Sequence, residues 1–220
     1  MQQAIVEELR AAYVCHTVIL YGSRARGKQD AGSDYDVAGI RESGEPGVLH
    51  DARQFNGIFL DAFIYRESSL VTLTPDMIRL RAGVVLVEKG DFGKRLIARA
   101  NELFKAGPEP LPATELNSLR TWIGKMLGRI SRGGPEDVEA NFRRTWLLHD
   151  LLELYFKLRG TWYLGPRESF AWLRANDPAS YKAFENALVP EASRGAVRIL
   201  ADRVLGQGRF TSSRAAIDNS

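Results

Sequence analysis

Residues 18–37 read Val18-Ile19-Leu20-Tyr21-Gly22-Ser23-Arg24-Ala25-Arg26-Gly27-Lys28-Gln29-Asp30-Ala31-Gly32-Ser33-Asp34-Tyr35-Asp36-Val37. The first four residues form a short apolar run, the pattern of a strand covered on both faces. Gly22 has no Cβ, so a phosphate can approach its backbone closely. Ser23 offers a hydroxyl and is placed to cap a short helix over 24–29, whose free amides would favour an anion. Asp34 and Asp36 stand two residues apart. On a strand their carboxylates project from one face, with Tyr35 and Val37 on the other. Paired carboxylates on a rigid strand suit Mg²⁺, a hard cation that takes few protein ligands and completes its shell with water and phosphate oxygens.

An apolar strand, Gly22-Ser23, a polar spacer and then Asp34-Tyr35-Asp36-Val37 resembles the DNA polymerase β-like nucleotidyltransferase superfamily. Ala25-Arg26-Gly27 and Ser33-Asp34-Tyr35-Asp36 are similar to its compact bacterial branch, which includes aminoglycoside nucleotidyltransferases and stand-alone minimal nucleotidyltransferases. An Asp-x-Asp pair alone is usually two solvated loop acids. Its specificity comes from joining Gly-Ser at this spacing after a buried strand. The resemblance implies Mg²⁺-dependent transfer of a nucleoside monophosphate, AMP from ATP being favoured, to an acceptor hydroxyl, with pyrophosphate leaving. It places Gly22, Ser23, Arg24 and Ser33 at the nucleotide, with Asp34 and Asp36 on the metal. Arg26 and Lys28 also lie where phosphate charge would fall. Positions i, i+2 and i+4 of a helix do not all face one way, so at least one is expected in solvent or against an acid.

The superfamily pattern also requires a third carboxylate on a neighbouring strand. In Arg53-Gln54-Phe55-Asn56-Gly57-Ile58-Phe59-Leu60-Asp61-Ala62-Phe63-Ile64-Tyr65, Asn56-Gly57 between apolar segments predicts a two-residue hairpin, because both central positions of a type I′ turn need positive φ. Asp61 is the one acid on the returning strand. A carboxylate there is costly to bury unless a metal or a partner meets it, and the alternative partner is Arg53 across the hairpin. By resemblance Asp61 helps to place a second metal or takes the proton of the attacking hydroxyl; paired ions about 3.5–4 Å apart stabilise both oxygens of an in-line displacement. Glu88, ending the apolar run Val84-Val85-Leu86-Val87, is a further candidate base, set against a plain strand end paired with Lys89 or Arg81.

Composition sets the frame. The chain has 220 residues, 45% hydrophobic and 26% charged, with a net charge of +3, values ordinary for a globular protein. Its basic excess can attract polyphosphate but falls short of a nucleic-acid signature. Cys15 is the one cysteine, which excludes an intrachain disulfide and fits a reducing cytoplasm. The scattered histidines offer no zinc cluster. No apolar segment approaches a membrane span of about 20 residues, and the N-terminus has helical spacing rather than a signal-peptide pattern.

The fold class expected is α+β: a mixed-sheet catalytic domain over 1–107 followed by an antiparallel helical bundle over 113–206. Ala106-Gly107-Pro108-Glu109-Pro110-Leu111-Pro112 separates them as a stiff linker, and 207–220 is expected to be a disordered tail. In the first domain a helix is predicted over 2–13, strands around 17–21, 34–41, 51–55, 58–65 and 84–88, helical segments in 66–82 and a helix over 91–104. After the linker only helices are predicted. Leu116, Leu119, Trp122, Ile123, Met126, Leu127 and Ile130 keep helical rhythm. Similar bundles follow the catalytic domain in the kanamycin nucleotidyltransferase branch and in nucleotidyltransferase–HEPN fusions, where the bundle shapes the acceptor side and often makes a dimer.

Two bundle features stand apart from its core. Lys125, Arg129 and Arg132 form a basic stripe, which reads as a solvated face or as a surface for RNA. Arg144 and His149 resemble the Arg-x₄-His ribonuclease signature of HEPN toxins, although a packed or capping histidine is the reading favoured. Trp122, Trp146, Trp162 and Trp172 are read as core, with a homodimer contact as the alternative. A small-molecule acceptor is favoured over RNA or protein. The alternatives are a toxin–antitoxin-like fusion acting on RNA or protein, and a nucleotide-binding module without turnover.

Overall fold

Asn56 and Gly57 take φ of 50° and 80°, so the predicted hairpin forms, and its register orders the sheet around it. The computed structural model describes residues 1–30, 32–45, 47–134 and 136–206; the tail expected to be disordered, 207–220, lies outside the described residues. The protein is α+β, dividing into two compact units between Gly107 and Pro108.

The first unit begins with α1 (Gln2–Tyr13), followed by β1 (Thr17–Tyr21), the single turn α2 (Gly22–Ala25) and β2 (Tyr35–Arg41). Then come β3 (Leu49–Phe55), β4 (Ile58–Arg66), 3₁₀ segments at Glu67–Leu70 and Pro75–Ala82, β5 (Val84–Val87) and α3 (Phe92–Ala106). The sheet order is β3-β4-β2-β1-β5. Every pairing is antiparallel except β2 with β4, which is parallel.

Alternation along the strands sorts side chains onto two faces. Val18, Leu20, Val37, Leu60, Ala62 and Ile64 pack on one face with Ile5, Val6 and Leu9 of α1. Ile19, Tyr21, Ala38, Ile40 and Tyr65 pack on the other with Leu70, Met77 and Leu80 of the 3₁₀ segments and Leu96 and Ala100 of α3. β1 is buried along its whole length, as a strand between two layers must be. Asp34 precedes β2 rather than lying within it, and β3 starts at Leu49, two residues before its predicted start.

The second unit contains α4 (Ala113–Arg132), α5 (Val138–Lys157), α6 (Pro166–Asn176), α7 (Pro178–Leu188) and α8 (Arg194–Val204). The carboxylate of Asp137 accepts from the amide of Ala140 to cap α5, Asp177 does the same for α7, and Ser193 caps α8, satisfying amides that no helical carbonyl reaches. Ile123, Met126, Leu127 and Ile130 of α4 share a core with Leu147, Leu151, Tyr155 and Phe156 of α5. Trp146 departs from the core reading. It is 48% exposed and meets Trp122 edge-on and Phe142 at a tilt. No helix among the described residues is long and apolar enough to cross a membrane.

Candidate active site

The parallel pairing of β2 with β4 sets Asp36 directly beside Asp61. The antiparallel pairing of β1 with β2 sets Tyr21 beside Asp36 on the other flank. Asp36 alternates with Val37, so its side chain shares the face of Ala38 and Ile40, and Asp61 shares that of Phe63 and Tyr65. Both carboxylates therefore stand on the face covered further along by α3 and the 3₁₀ segments. Asp34, just before β2, adds a third charge within electrostatic reach.

The local chain is shaped for Asp36. Gly22 takes φ of 72°, and a Cβ there would fall 2.1 Å from Oδ2 of Asp36. No other residue fits both that conformation and that approach. Burial pushes the Asp36 carboxyl up, and the charges of Asp61 and Asp34 push it further; Arg79 and Arg26 pull it back, leaving it at about 6. A carboxyl raised in this way by neighbouring acids is characteristic of functional sites.

The loop between α2 and β2 is tied to the same place. Arg24 donates from Nε to the carbonyls of Ser33 and Asp34, at 3.0 and 3.1 Å, and from Nη2 to that of Ser33 at 2.6 Å. Its guanidinium also lies 4.1 Å from the centre of the Tyr35 ring. Asp30 accepts from the Gly32 amide and from the Ser33 hydroxyl, and Ser33 Oγ accepts from the Asp30 amide. Arg24 and Ser33 thus fix the backbone that presents Asp34. The expected helix over 24–29 is corrected: it is the single turn Gly22–Ala25, begun from Tyr21 with no side-chain cap. Glycines at both ends of so short a segment leave little helix to propagate. Ser23 therefore starts the turn rather than capping a helix.

Three residues that the sequence reading did not select complete the surroundings. His50 on β3 approaches Asp61, Nε2 to Oδ1, at 2.5 Å, and stacks on Phe63 with ring centroids 4.2 Å apart and planes 13° from parallel. Arg79, from the Pro75–Ala82 segment, lies 4.2 Å from the centre of the same Phe63 ring and 5.2 Å from that of Tyr21. It also donates to the Tyr65 hydroxyl. Phe63 is thereby gripped between His50 on the β3 side and Arg79 on the β1 side. Buried Tyr21 is the third, its hydroxyl without a hydrogen-bond partner among the described residues.

Other expected candidates lie elsewhere. Arg53 is not the partner of Asp61. It bonds Asp51 and Glu8 on the α1 face, because it is an even number of residues from Asp51 and an odd number from Ala52, the register partner of Asp61. Glu88 is the plain strand end, the favoured reading, although its partner is Lys94 rather than Lys89 or Arg81. Val87 pairs with Val18 whereas Asp36 pairs with Tyr21, which sets Glu88 on the order of 10 Å along the sheet from Asp36. There Glu88 accepts from the Lys94 amide at the start of α3 and pairs with Lys94 Nζ. In the second unit, Arg144 Nη2 donates to the carbonyls of Ala187 and Val189, tying down the end of α7. His149 is 75% exposed and meets its neighbour Asp150, so it is neither packed nor capping.

Whether these acids suit a metal turns on their chemistry and their spacing. The donors are carboxylate oxygens, the kind that Mg²⁺ takes. Among the described residues, no three His, Cys, Asp or Glu side chains already converge on one ion position. Asp34, Asp36 and Asp61 thus match such an ion in donor kind, and Asp36 and Asp61 stand side by side on the sheet with Asp34 just before it.

No family model matches the chain, and no curated protein matches it. Among solved structures, it is similar to a nucleotidyltransferase-like protein from Exiguobacterium sibiricum 255-15, at 18% identity over 93% of this chain and 73% of that one, with a TM-score of 0.46. The functional reading below rests on this chain's own residues.

The raised Asp36 carboxyl makes a stability prediction. Below the unfolded value near 3.8 the group is protonated in both states. Between there and about 6 only the folded state keeps the proton, so stability falls as pH rises through this window. Above it the full penalty remains, on the order of 3 kcal/mol. Asp36→Asn should raise the melting temperature by several degrees at pH 7.5 and by much less at pH 4; an equal shift at both would contradict the assignment. Gly22→Ala should destabilise by about 2 kcal/mol or more in urea titrations, from backbone strain and displacement of Asp36.

Proposed function

We propose that this chain is a nucleotidyltransferase, which moves a nucleoside monophosphate from a triphosphate to an acceptor hydroxyl and releases pyrophosphate. What supports the reading above all is the register pair Asp36–Asp61, set beside a glycine whose conformation leaves room for the carboxylate. Selection for folding alone gives no reason to set two acids side by side on one sheet face, with a third just before it, at a cost in stability.

The site residues divide the work. Asp34 and Asp36 would hold Mg²⁺, with Asp61 either helping to hold a second ion or taking the hydroxyl proton. When bound there, the ion offsets the charge of the triphosphate and of the leaving oxygen. Gly22 and Ser23 receive phosphate oxygens against the exposed backbone of the turn. Ser33 and Arg24 set the loop that carries Asp34, and the remaining Nη1 of Arg24 is what it offers a phosphate. The acceptor oxygen attacks the α-phosphorus, and the bond to the bridging oxygen breaks as its electron pair leaves with pyrophosphate. In the second of those roles Asp61 receives the hydroxyl proton. Positioning and charge neutralisation carry such a reaction, with no covalent enzyme intermediate.

ATP is the donor favoured, a small molecule the acceptor favoured, and the cytoplasm the setting. Calorimetric titration of ATP, GTP, CTP and UTP with Mg²⁺ tests this. One triphosphate should bind in a metal-dependent way to the wild type and not to Asp34→Ala/Asp36→Ala. Removing Asp36 relieves repulsion, so loss of binding there would not be loss of fold, and circular dichroism would show the variant intact. A folded wild type that binds no triphosphate would overturn the proposal.

A further inference from the structure

Among the described residues, Asp61 is the one acid of the three that a side-chain donor meets directly. The donor is His50, whose Nε2 lies 2.5 Å from Oδ1 of Asp61. The ring is 49% exposed and the carboxylate 28%, so the pair sits at the open edge of the site rather than in the core. His50 is set there by register: it pairs with Phe63, and Ala52 pairs with Asp61. That places His50 diagonally across from Asp61 on the same sheet face, within reach of a long side chain. Its ring is held flat against Phe63, and Phe63 is held in turn by Arg79. A histidine whose ring plane is fixed by stacking can donate along one direction only.

We infer that His50 is a positioning residue for Asp61. Its Nε2–H holds Oδ1 and leaves Oδ2 free for the metal or for the acceptor proton. A ligating carboxylate left without such a partner samples several rotamers and must be ordered at the moment of binding. Partners of this kind, one step removed from the ion, change metal affinity by roughly 10–100-fold. The assignment rests on the metal-binding reading proposed above, and the experiment separates the two.

Mn²⁺ serves as the probe, titrated against the whole chain and followed by its electron paramagnetic resonance signal. The wild type, His50→Ala and His50→Gln are compared after circular dichroism confirms that each is folded. His50→Ala should weaken Mn²⁺ binding about tenfold or more, whereas His50→Gln, whose amide can donate to Asp61, should recover affinity to within about threefold. A folded His50→Ala with wild-type affinity would overturn the positioning role while leaving the metal site standing. Equal losses in both variants would also overturn it, because the donor to Asp61 would then not be what matters. A wild type that takes no Mn²⁺ would overturn the metal reading and this one with it.

Discussion

Parallel pairing of β2 with β4 is the constraint on which the site depends. It fixes Asp36 and Asp61 side by side, at the interstrand spacing of about 4.8 Å between backbones. Neither can move away without breaking a ladder in the middle of the sheet. The electrostatic conflict is therefore built into the backbone, and it surfaces as the raised Asp36 carboxyl. A sheet that holds two acids together in a half-buried place is less stable at neutral pH than one that does not. On the proposed function, a divalent cation and a polyphosphate would turn that conflict into binding energy.

The residues around the pair act through position. Gly22 yields space to Asp36, Arg24 and Ser33 hold the loop before Asp34, and His50 and Arg79 grip Phe63 between them. Arg79 does more than pack: its charge lowers the Asp36 carboxyl from where burial and the other acids would set it. The site thus contains a cation, Arg79, held against the rings of Tyr21 and Phe63, close enough to act on the Asp36 carboxyl. Preorganised charges of this kind cost no reorganisation when a substrate arrives.

Much of this was legible in the chain. The Asn56-Gly57 turn needed only its own dipeptide, because positive φ at both positions is a local property, and α1 was read at its observed limits. The acids were legible through the resemblance, in which Gly-Ser precedes Asp-x-Asp and a neighbouring strand carries a third carboxylate, although Asp34 falls just outside β2. His50 was within reach of the same logic. The turn fixes Phe55 opposite Ile58, and counting back from it places His50 opposite Phe63 and diagonal to Asp61; starting the strand at Asp51 hid it. Arg79 had no such signal. It arrives through 3₁₀ turns whose path depends on packing against α3, which no local pattern encodes. The same holds for Glu88, where local position at a strand end was compatible with a catalytic place, and only the β1–β5 register moved it away.

Crystals grown with Mn²⁺ and a non-hydrolysable ATP analogue would test the central claim most directly, through the anomalous signal of the metal. The account predicts a peak coordinated by Asp36 with Asp34 or Asp61, and phosphate oxygens at the Gly22-Ser23 turn. A fully occupied analogue with its metal bound anywhere else, leaving Asp36 and Asp61 without a cation, would contradict it.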